Sequence, residues 1–157
     1  MPQTAFDKAI RLLAQRSRTA AELERALQKA GIAAEERASA MERVRKLGYI
    51  DDAEVARARA SARLKQGNAP RLVAKKLQAQ GIEESAARAA AQDAAATARE
   101  EELAARALQR RLRGRTPVDM REKRRLVRWL AANGHRPSVA AGLLGIEWEG
   151  NDESDDL

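Results

Sequence analysis

The chain has 157 residues, of which 30 are Lys or Arg and 23 are Asp or Glu, so its formal net charge is +7. It contains no Cys, which excludes disulfides, thiolate nucleophiles and cysteine zinc sites. Ala accounts for 35 residues and aromatic residues for only 3% of the chain, which excludes one thick hydrophobic core.

Helix-forming residues dominate almost the whole chain, and its few helix breakers mark where the predicted helices begin and end. Thr19 and Glu22 have the spacing of a capping box, at the start of a helix that should end at Gly31. Asp51 and Glu54 predict a second cap, directly after the turn that contains the Gly-Tyr-Ile sequence. These signals place three short helices in the first third of the chain.

Two further breakers divide the rest of the chain. Gly67–Pro70 separates two helices, and Pro70 suits the first turn of the second one. The second breaker predicts a helix from Thr116 that ends at Gly134. Its start is indicated by a cap, a proline and an acid, at Thr116, Pro117 and Asp119 respectively.

One pattern recurs three times along the chain. In this pattern, two apolar residues four positions apart are followed by Gly after four more positions. The three copies are Leu23-Leu27-Gly31, Val73-Leu77-Gly81 and Leu126-Leu130-Gly134. A single copy is typical of any amphipathic helix, but three at nearly constant offset favour duplication. We therefore predict an all-α fold of three tandem three-helix repeats, resembling helix-turn-helix units and stacked into an elongated array.

The predicted repeats span residues 5–48, 52–96 and 98–146, and residues 147–157 form an acidic tail that we expect to be disordered. All 30 cations lie within residues 1–146, together with 17 acids, so this part carries +13 and the tail −6. Charge is densest in residues 103–136, which hold eleven Lys or Arg and two acids. Such a body favours an anionic partner.

The repeat alignment selects the candidate binding residues. Arg25, Lys75 and Arg128 are equivalent, and so are Arg71 and Arg124. Helical geometry places four arginines opposite the apolar side of the last predicted long helix: Arg121, Arg124, Arg125 and Arg128. We favour a binding surface formed by these seven residues over a merely solvated face, because acids are scarce among them.

The aromatic residues restrict which nucleic-acid contacts are expected. Tyr49 and Trp129 lie beside apolar core positions, so we predict that they pack in the core and do not stack on bases. Contact with single- or double-stranded DNA should therefore be weak, made mostly to phosphates, and sensitive to salt.

Nothing in the sequence indicates an enzyme. His135, the one histidine, follows Gly134 where Ile stands in the other repeats, so we predict a residue at the core edge. Asp51 and Asp52 could in principle hold Mg²⁺, but adjacent side chains diverge, and a helix cap is the better interpretation. No glycine-rich phosphate loop occurs. We expect no catalytic residue, cofactor or metal.

Targeting signals are also missing from the sequence. No apolar run approaches the roughly 20 residues that cross a bilayer, and the first residues lack the apolar stretch of a signal peptide. We therefore expect a cytoplasmic monomer without a membrane partner.

In order and spacing, several motifs resemble the RecX family, the bacterial regulators of the RecA recombinase. The most specific is Leu47–Asp52, close to the family's Gly-Tyr-Ile/Leu-Asp-Asp signature, and further support comes from Arg16–Arg18 with Glu22 and Leu23, from Gly67 to Ile82, and from Arg124–Leu130 with Gly134. Val55 and His135 stand where the family often has aromatic residues, which affects local packing. The resemblance covers residues 5–146.

This resemblance implies a curved, all-helical molecule that binds in the groove of the RecA–DNA filament and thereby inhibits ATP hydrolysis and strand exchange. The associated processes would be recombination, DNA repair and the SOS response. The main alternative is a general DNA-binding module that contacts phosphates through its tandem helical units.

Overall fold

The computed structural model describes residues 4–150, and all regular secondary structure in that range is α-helical. The helices there are α1 (Ala5–Gln15), α2 (Ala20–Lys29), α3 (Ala34–Lys46), α4 (Asp52–Lys65), α5 (Pro70–Ala79), α6 (Glu84–Ala95), α7 (Glu100–Leu112), α8 (Met120–Ala132) and α9 (Pro137–Leu144). The predicted all-α fold of tandem helical repeats is confirmed. The prediction of disorder falls largely on residues 151–157, which lie outside the described range.

Local sequence signals set most helix starts. At α2, the Thr19 hydroxyl accepts a hydrogen bond from the backbone N–H of Glu22 at 3.1 Å, and the Glu22 carboxylate accepts one from the Thr19 N–H. At α4, the Asp51 carboxylate accepts from the Glu54 N–H at 2.9 Å. Pro70 occupies the first turn of α5. All three starts agree with the sequence predictions, because caps depend on neighbours within three residues.

The predicted start of α8 at Thr116 is wrong. Asp119 is the cap, and its carboxylate accepts a hydrogen bond from the Glu122 N–H at 2.7 Å. The preceding loop is held against this first turn, since the Glu122 carboxylate accepts from the Val118 N–H at 2.8 Å and pairs with Arg115 at 2.7 Å. These contacts keep residues 115–118 outside the helix.

Each consecutive group of three helices encloses its own small hydrophobic core, and extensive helix–helix packing occurs within the groups. The largest fully buried apolar side chains are the leucines of the recurring pattern: Leu23, Leu27, Leu77 and Leu130. Burial of each contributes about 1.5–3 kcal/mol to folding. The thin, Ala-rich core is thus divided among three groups. The limits of the repeats, 5–48, 52–96 and 98–146, stay predictions.

The first and second groups meet through helix ends. The loop that follows α5 lies against the start of α2, where the Thr19 hydroxyl donates to the Gln80 carbonyl at 2.6 Å. The Asp52 carboxylate accepts a hydrogen bond from the Ala20 N–H at 2.8 Å, so Asp52 caps a helix of the neighbouring group. Gly81 lies so close to Ala21 that a Cβ atom on Gly81 would overlap the Ala21 Cβ. The junction is therefore both polar and tightly packed.

Arg59 of α4 completes this junction. Its guanidinium donates to both carboxylate oxygens of Glu22, at 3.0 and 2.8 Å, and to the Gln80 side-chain oxygen at 2.7 Å. It also donates to the Ser17 carbonyl at 3.0 Å. Burial opposes ionisation of Glu22, but the hydrogen bonds from Arg59 and Thr19 prevail and lower its pKa. The first two groups are therefore joined by a charged, shielded pair.

The second and third groups meet in the same way. The loop after α8 lies against the start of α5: the Ala69 N–H donates to the Asn133 carbonyl at 2.7 Å, and the Arg71 Nε donates to the Gly134 carbonyl. A Cβ on Gly134 would lie 2.6 Å from the Leu72 Cβ. Because Asn133 and Gly134 are the repeat equivalents of Gln80 and Gly81, both junctions place the corresponding loop against the start of a helix in the preceding group.

Candidate functional site

The strongest candidate surface is the polar side of α8. Leu126, Val127 and Leu130 of this helix are buried in the third core. Helical spacing turns four arginine side chains to the opposite side, and all four are exposed: Arg121, Arg124, Arg125 and Arg128. We call these four residues the α8 arginine face. The structure thus brings together four of the seven sequence-predicted residues on one helix.

The charges of the α8 arginine face are only slightly compensated by neighbours, since Glu122 interacts electrostatically with Arg125 without forming an ion pair with it. Within residues 4–150, none of the four guanidinium groups forms an ion pair with a carboxylate. The nearest acid on this helix, Glu122, is taken by Arg115, and that hydrogen bond is the main cause of its lowered pKa. The face therefore presents four positive charges to solvent and is suited to an anionic ligand.

Trp129 lies beside this face but does not offer a stacking platform. Its ring packs, partly buried, against the third core, and the Arg111 guanidinium lies over it at 5.4 Å from the ring centroid. The prediction that Trp129 is a packing residue is therefore confirmed. Ligand contacts on this side of the molecule would be ionic and made through arginine.

Arg71 and Lys75 lie together at a second place, a groove of about 520 Å³ between α5 and α6. Both side chains belong to exposed residues, but the Arg71 Nε is occupied by the Gly134 carbonyl. Arg88, across the groove, is paired with Glu84. Arg71 thus also holds the junction between the second and third groups, and Lys75 is the freer cation of the two.

Arg25, the predicted residue of the first group, is exposed on α2 in a more neutral setting. Arg16 and Arg59 both pair with Glu22, and Arg37 pairs with Glu24 at 2.8 Å. The equivalent residues Arg25 and Arg128 therefore differ in the net charge of the side chains that surround them. Sequence alignment alone did not reveal this difference, because it depends on contacts between distant residues.

Tyr49 is not the packing residue that the sequence predicted. It is 57% exposed, and its neighbour Leu47 is 52% exposed. Tyr49 borders a groove of about 290 Å³ that Leu13, Arg18 and Glu54 also line. The left-handed Gly48 turn carries the chain away from the first core, so the ring points outward while Ile50 packs against that core. Proximity to core positions was a misleading signal here.

His135, which the sequence analysis assigned to the core edge, is fully buried. Its Nε2 lies 2.9 Å from the Gly67 carbonyl; a carbonyl can only accept, so Nε2 carries the proton. The Nδ1 atom has no hydrogen-bond partner among the described residues. Burial is the main cause of a lowered pKa, which the Gly67 hydrogen bond partly opposes. This neutral, enclosed imidazole is a structural contact between the second and third groups.

Two other properties bear on the site. No group of three or more His, Cys, Asp or Glu side chains within residues 4–150 is arranged to hold a metal ion. None of the helices described is both long and apolar enough to cross a bilayer. Asp51 and Asp52, the pair considered for Mg²⁺, each accept a backbone hydrogen bond at a helix start.

Comparisons with known proteins agree with this architecture. Residues 5–43 match the family profile described as RecX, first three-helix domain. The chain is 34% identical over 155 residues to the regulatory protein RecX of Mycolicibacterium smegmatis, covering 93% of this chain and 82% of that one. It is 35% identical over 144 residues to the regulatory protein RecX of Thermobifida fusca, covering 89% and 76% respectively.

Solved structures give the same relationship for the fold. The crystal structure of RecX from Lactobacillus salivarius superposes with a TM-score of 0.65 at 16% identity, covering 90% of this chain and 92% of that one. A second crystal structure, of a regulatory protein RecX, superposes with a TM-score of 0.66 at 21% identity, covering 90% and 70%.

Proposed function

Because the chain belongs to the RecX family of regulatory proteins, we propose that it inhibits the RecA recombinase by binding in the groove of the RecA–DNA filament. Occupying the groove would suppress ATP hydrolysis and strand exchange. The observation that carries the proposal is the α8 arginine face, four exposed guanidinium groups without carboxylate partners within the described residues, set on a tandem helical array.

The array suits a periodic partner. The two junctions use corresponding loops and helix starts, and exposed cations recur at the equivalent positions Arg25, Lys75 and Arg128. Several weak ionic contacts on one linked ligand raise affinity through effective concentration. Arg71 would in addition fix the third group relative to the second. In this proposal the seven predicted residues act by contact with filament or DNA phosphate.

The protein would act by occupancy, without chemistry or a cofactor of its own. Its one histidine is enclosed and neutral, and its carboxylates at helix starts are engaged in capping. It would bridge neighbouring RecA subunits or block access to the groove. We propose that this inhibition takes place in the cytoplasm and affects recombination and DNA repair.

The test is the DNA-dependent ATPase rate of RecA, measured while this protein is titrated. We expect inhibition by the native chain and a clear loss of potency for the triple variant Arg121→Ala/Arg125→Ala/Arg128→Ala, with helicity retained by circular dichroism. A matched control removes three exposed arginines elsewhere: Arg45, Arg57 and Arg106.

Two results would contradict this proposal. An unchanged ATPase rate at saturating native protein would reject inhibition of RecA. Equal potency of the two triple variants would reject the α8 arginine face as the contact surface, because both variants lose the same charge.

A general DNA-binding module is the second candidate, favoured by the same unpaired arginines. If four arginines each neutralise a phosphate, duplex affinity should fall about 150-fold between 50 and 200 mM salt. Fluorescence anisotropy with bare duplex and with RecA filaments separates the two functions. Tight filament binding with weak duplex binding supports the regulator, and submicromolar affinity for bare duplex at moderate salt supports the module.

A further inference from the structure

The loop between α7 and α8, residues 113–119, brings a further cation to the edge of the α8 arginine face. The chain turns after α7 through Arg113 and Gly114, which have φ values of 50° and 85°. Arg115 follows directly, and its guanidinium lies 2.7 Å from the carboxylate of Glu122, in the first turn of α8. The loop is therefore tied to α8 through the acid that lies among the arginines of that helix.

Glu122 is placed where it could neutralise part of this face. It precedes Arg125 by three residues, and helix neighbours at that spacing can form an ion pair. Both of its carboxylate oxygens are engaged on the loop side instead: Oε1 pairs with Arg115, and Oε2 accepts the Val118 N–H at 2.8 Å. Within residues 4–150, Arg125 forms no ion pair.

Electrostatics rank Arg115 as the stronger partner of Glu122. The hydrogen bond from Arg115 is the main cause of the lowered Glu122 pKa, and the charge of Arg125 contributes less. The same hydrogen bond raises the pKa of the Arg115 guanidinium. The Glu122 side chain is only 14% exposed, so water screens this pair less than it would a pair in open solvent.

We propose that Arg115 is a positioning residue of the α8 arginine face: it holds Glu122 against the loop and thereby keeps the Arg125 guanidinium available to the anionic partner. Loss of the Arg115 side chain would release Oε1 of Glu122, and Arg125 is the helix neighbour placed to pair with it. The face would then bind with three arginines and not four. The benefit for ligand binding rests on the proposed function, whereas the effect of Arg115 on Glu122 does not.

The effect on Glu122 is tested on the full chain without any ligand, by NMR titration of the Glu122 carboxyl carbon. Arg125→Ala should raise the Glu122 pKa only slightly in the native chain, because Arg115 remains, and clearly in the Arg115→Ala background. Arg124→Ala is the matched control, since residues two apart on a helix do not face each other. An equal effect of Arg125→Ala in both backgrounds would overturn the proposal.

The effect on binding is measured by fluorescence anisotropy with a bare DNA duplex as the anionic probe. Arg115→Ala is compared with Arg106→Ala, which removes one exposed charge from α7 of the same group. We expect Arg115→Ala to weaken duplex binding about twofold more, the strength of one exposed pair between helix neighbours. The loss of affinity between 50 and 200 mM salt should also decrease from about 150-fold towards about 40-fold, as for three phosphate contacts in place of four.

Two rescue variants separate positioning from a disturbed loop. Glu122→Gln in the Arg115→Ala background removes the released carboxylate and should restore the native salt dependence, whereas the same change in the native chain should have little effect. Arg115→Lys keeps a cation that can pair with Glu122 and should bind like the native chain. If Glu122→Gln fails to rescue Arg115→Ala, Arg115 acts by another route and the proposal is overturned.

The outcomes also distinguish this proposal from the function on which it rests. Equal duplex affinity and salt dependence of Arg115→Ala and Arg106→Ala would reject the role of Arg115 in binding. If the duplex binds equally well after all four arginines of the α8 arginine face are replaced by Ala, that face is not the contact surface, and the binding role of Arg115 is rejected with it. The titration of Glu122 would stand in either case, because it involves no ligand.

Discussion

Substituting Gly81 tests whether the three helical groups are coupled through their junctions. Gly81 has φ +89° and lies against Ala21 of the preceding group, whereas Gly31 has φ +77° and nothing within 4 Å of an added Cβ. Ala at either position incurs about 1–2 kcal/mol of left-handed backbone strain, partly offset by about 0.4–1 kcal/mol from the stiffer unfolded chain. Gly81→Ala also forces the overlap with Ala21, which costs a further 1–3 kcal/mol or so.

The comparison of these two variants isolates the junction, because both share the backbone strain. We expect Gly81→Ala to be less stable than Gly31→Ala by about 1–3 kcal/mol, or several degrees in Tm, since a chain of this size loses about 2–4 °C per kcal/mol. Urea titration followed by circular dichroism measures the difference. Trp129 fluorescence reports the third group and shows whether the first unfolds separately. Equal stability of the two variants would refute the reasoning that the groups pack tightly there.

Three further perturbations probe single contacts. Arg59→Ala should lower the free energy of unfolding in urea by about 2 kcal/mol, because it removes the two charged hydrogen bonds to the shielded Glu22 and those to Gln80 and Ser17, whereas exposed Arg57→Ala should stay within about 0.5 kcal/mol. The lowered pKa of His135 means that below the unfolded-state value of about 6.5 the unfolded chain binds a proton that the folded chain does not. The contribution of His135 to the free energy of unfolding should therefore be fully present above pH 6.5 and decrease as the pH is lowered towards 5. If the free energy of unfolding of His135→Phe depends on pH as steeply as that of the native chain, this assignment is contradicted. Leu77→Asp should unfold the second group by burying an unpaired charge, seen as lost helical circular dichroism, and Leu47→Asp, at an exposed position, should not.

The parts of the fold that follow from short-range rules were predictable from sequence. Leu23 and Leu27, and their equivalents in the other repeats, share one side of a helix and are buried, because residues four apart lie on the same face. The Thr19 and Asp51 caps also involve only residues three positions away. At α8, however, the loop contacts of Glu122 moved the start from Thr116 to Asp119, which a linear motif does not encode.

The junctions were not predictable, because they join residues far apart in sequence. Arg59 and Glu22 are separated by 37 positions, and Thr19 and Gln80 by 61. No periodic pattern links such pairs, and a single sequence offers no other sign of them. The direction of the Tyr49 ring was missed for a similar reason, since it depends on where the turn at Gly48 leaves the first core.

The same limitation affects how an arginine-rich sequence is interpreted. An arginine count cannot distinguish Arg59 from Arg125. Arg59 joins two helical groups through its ion pair with Glu22, whereas Arg125 has no ion-pair partner in the described chain. Both residues raise the net charge equally, but only the second leaves a guanidinium group for a ligand. The distinction follows from whether a carboxylate lies within reach. Because α8 has one acid near its arginines and Arg115 occupies it, the positive charge of the third group remains available at its surface.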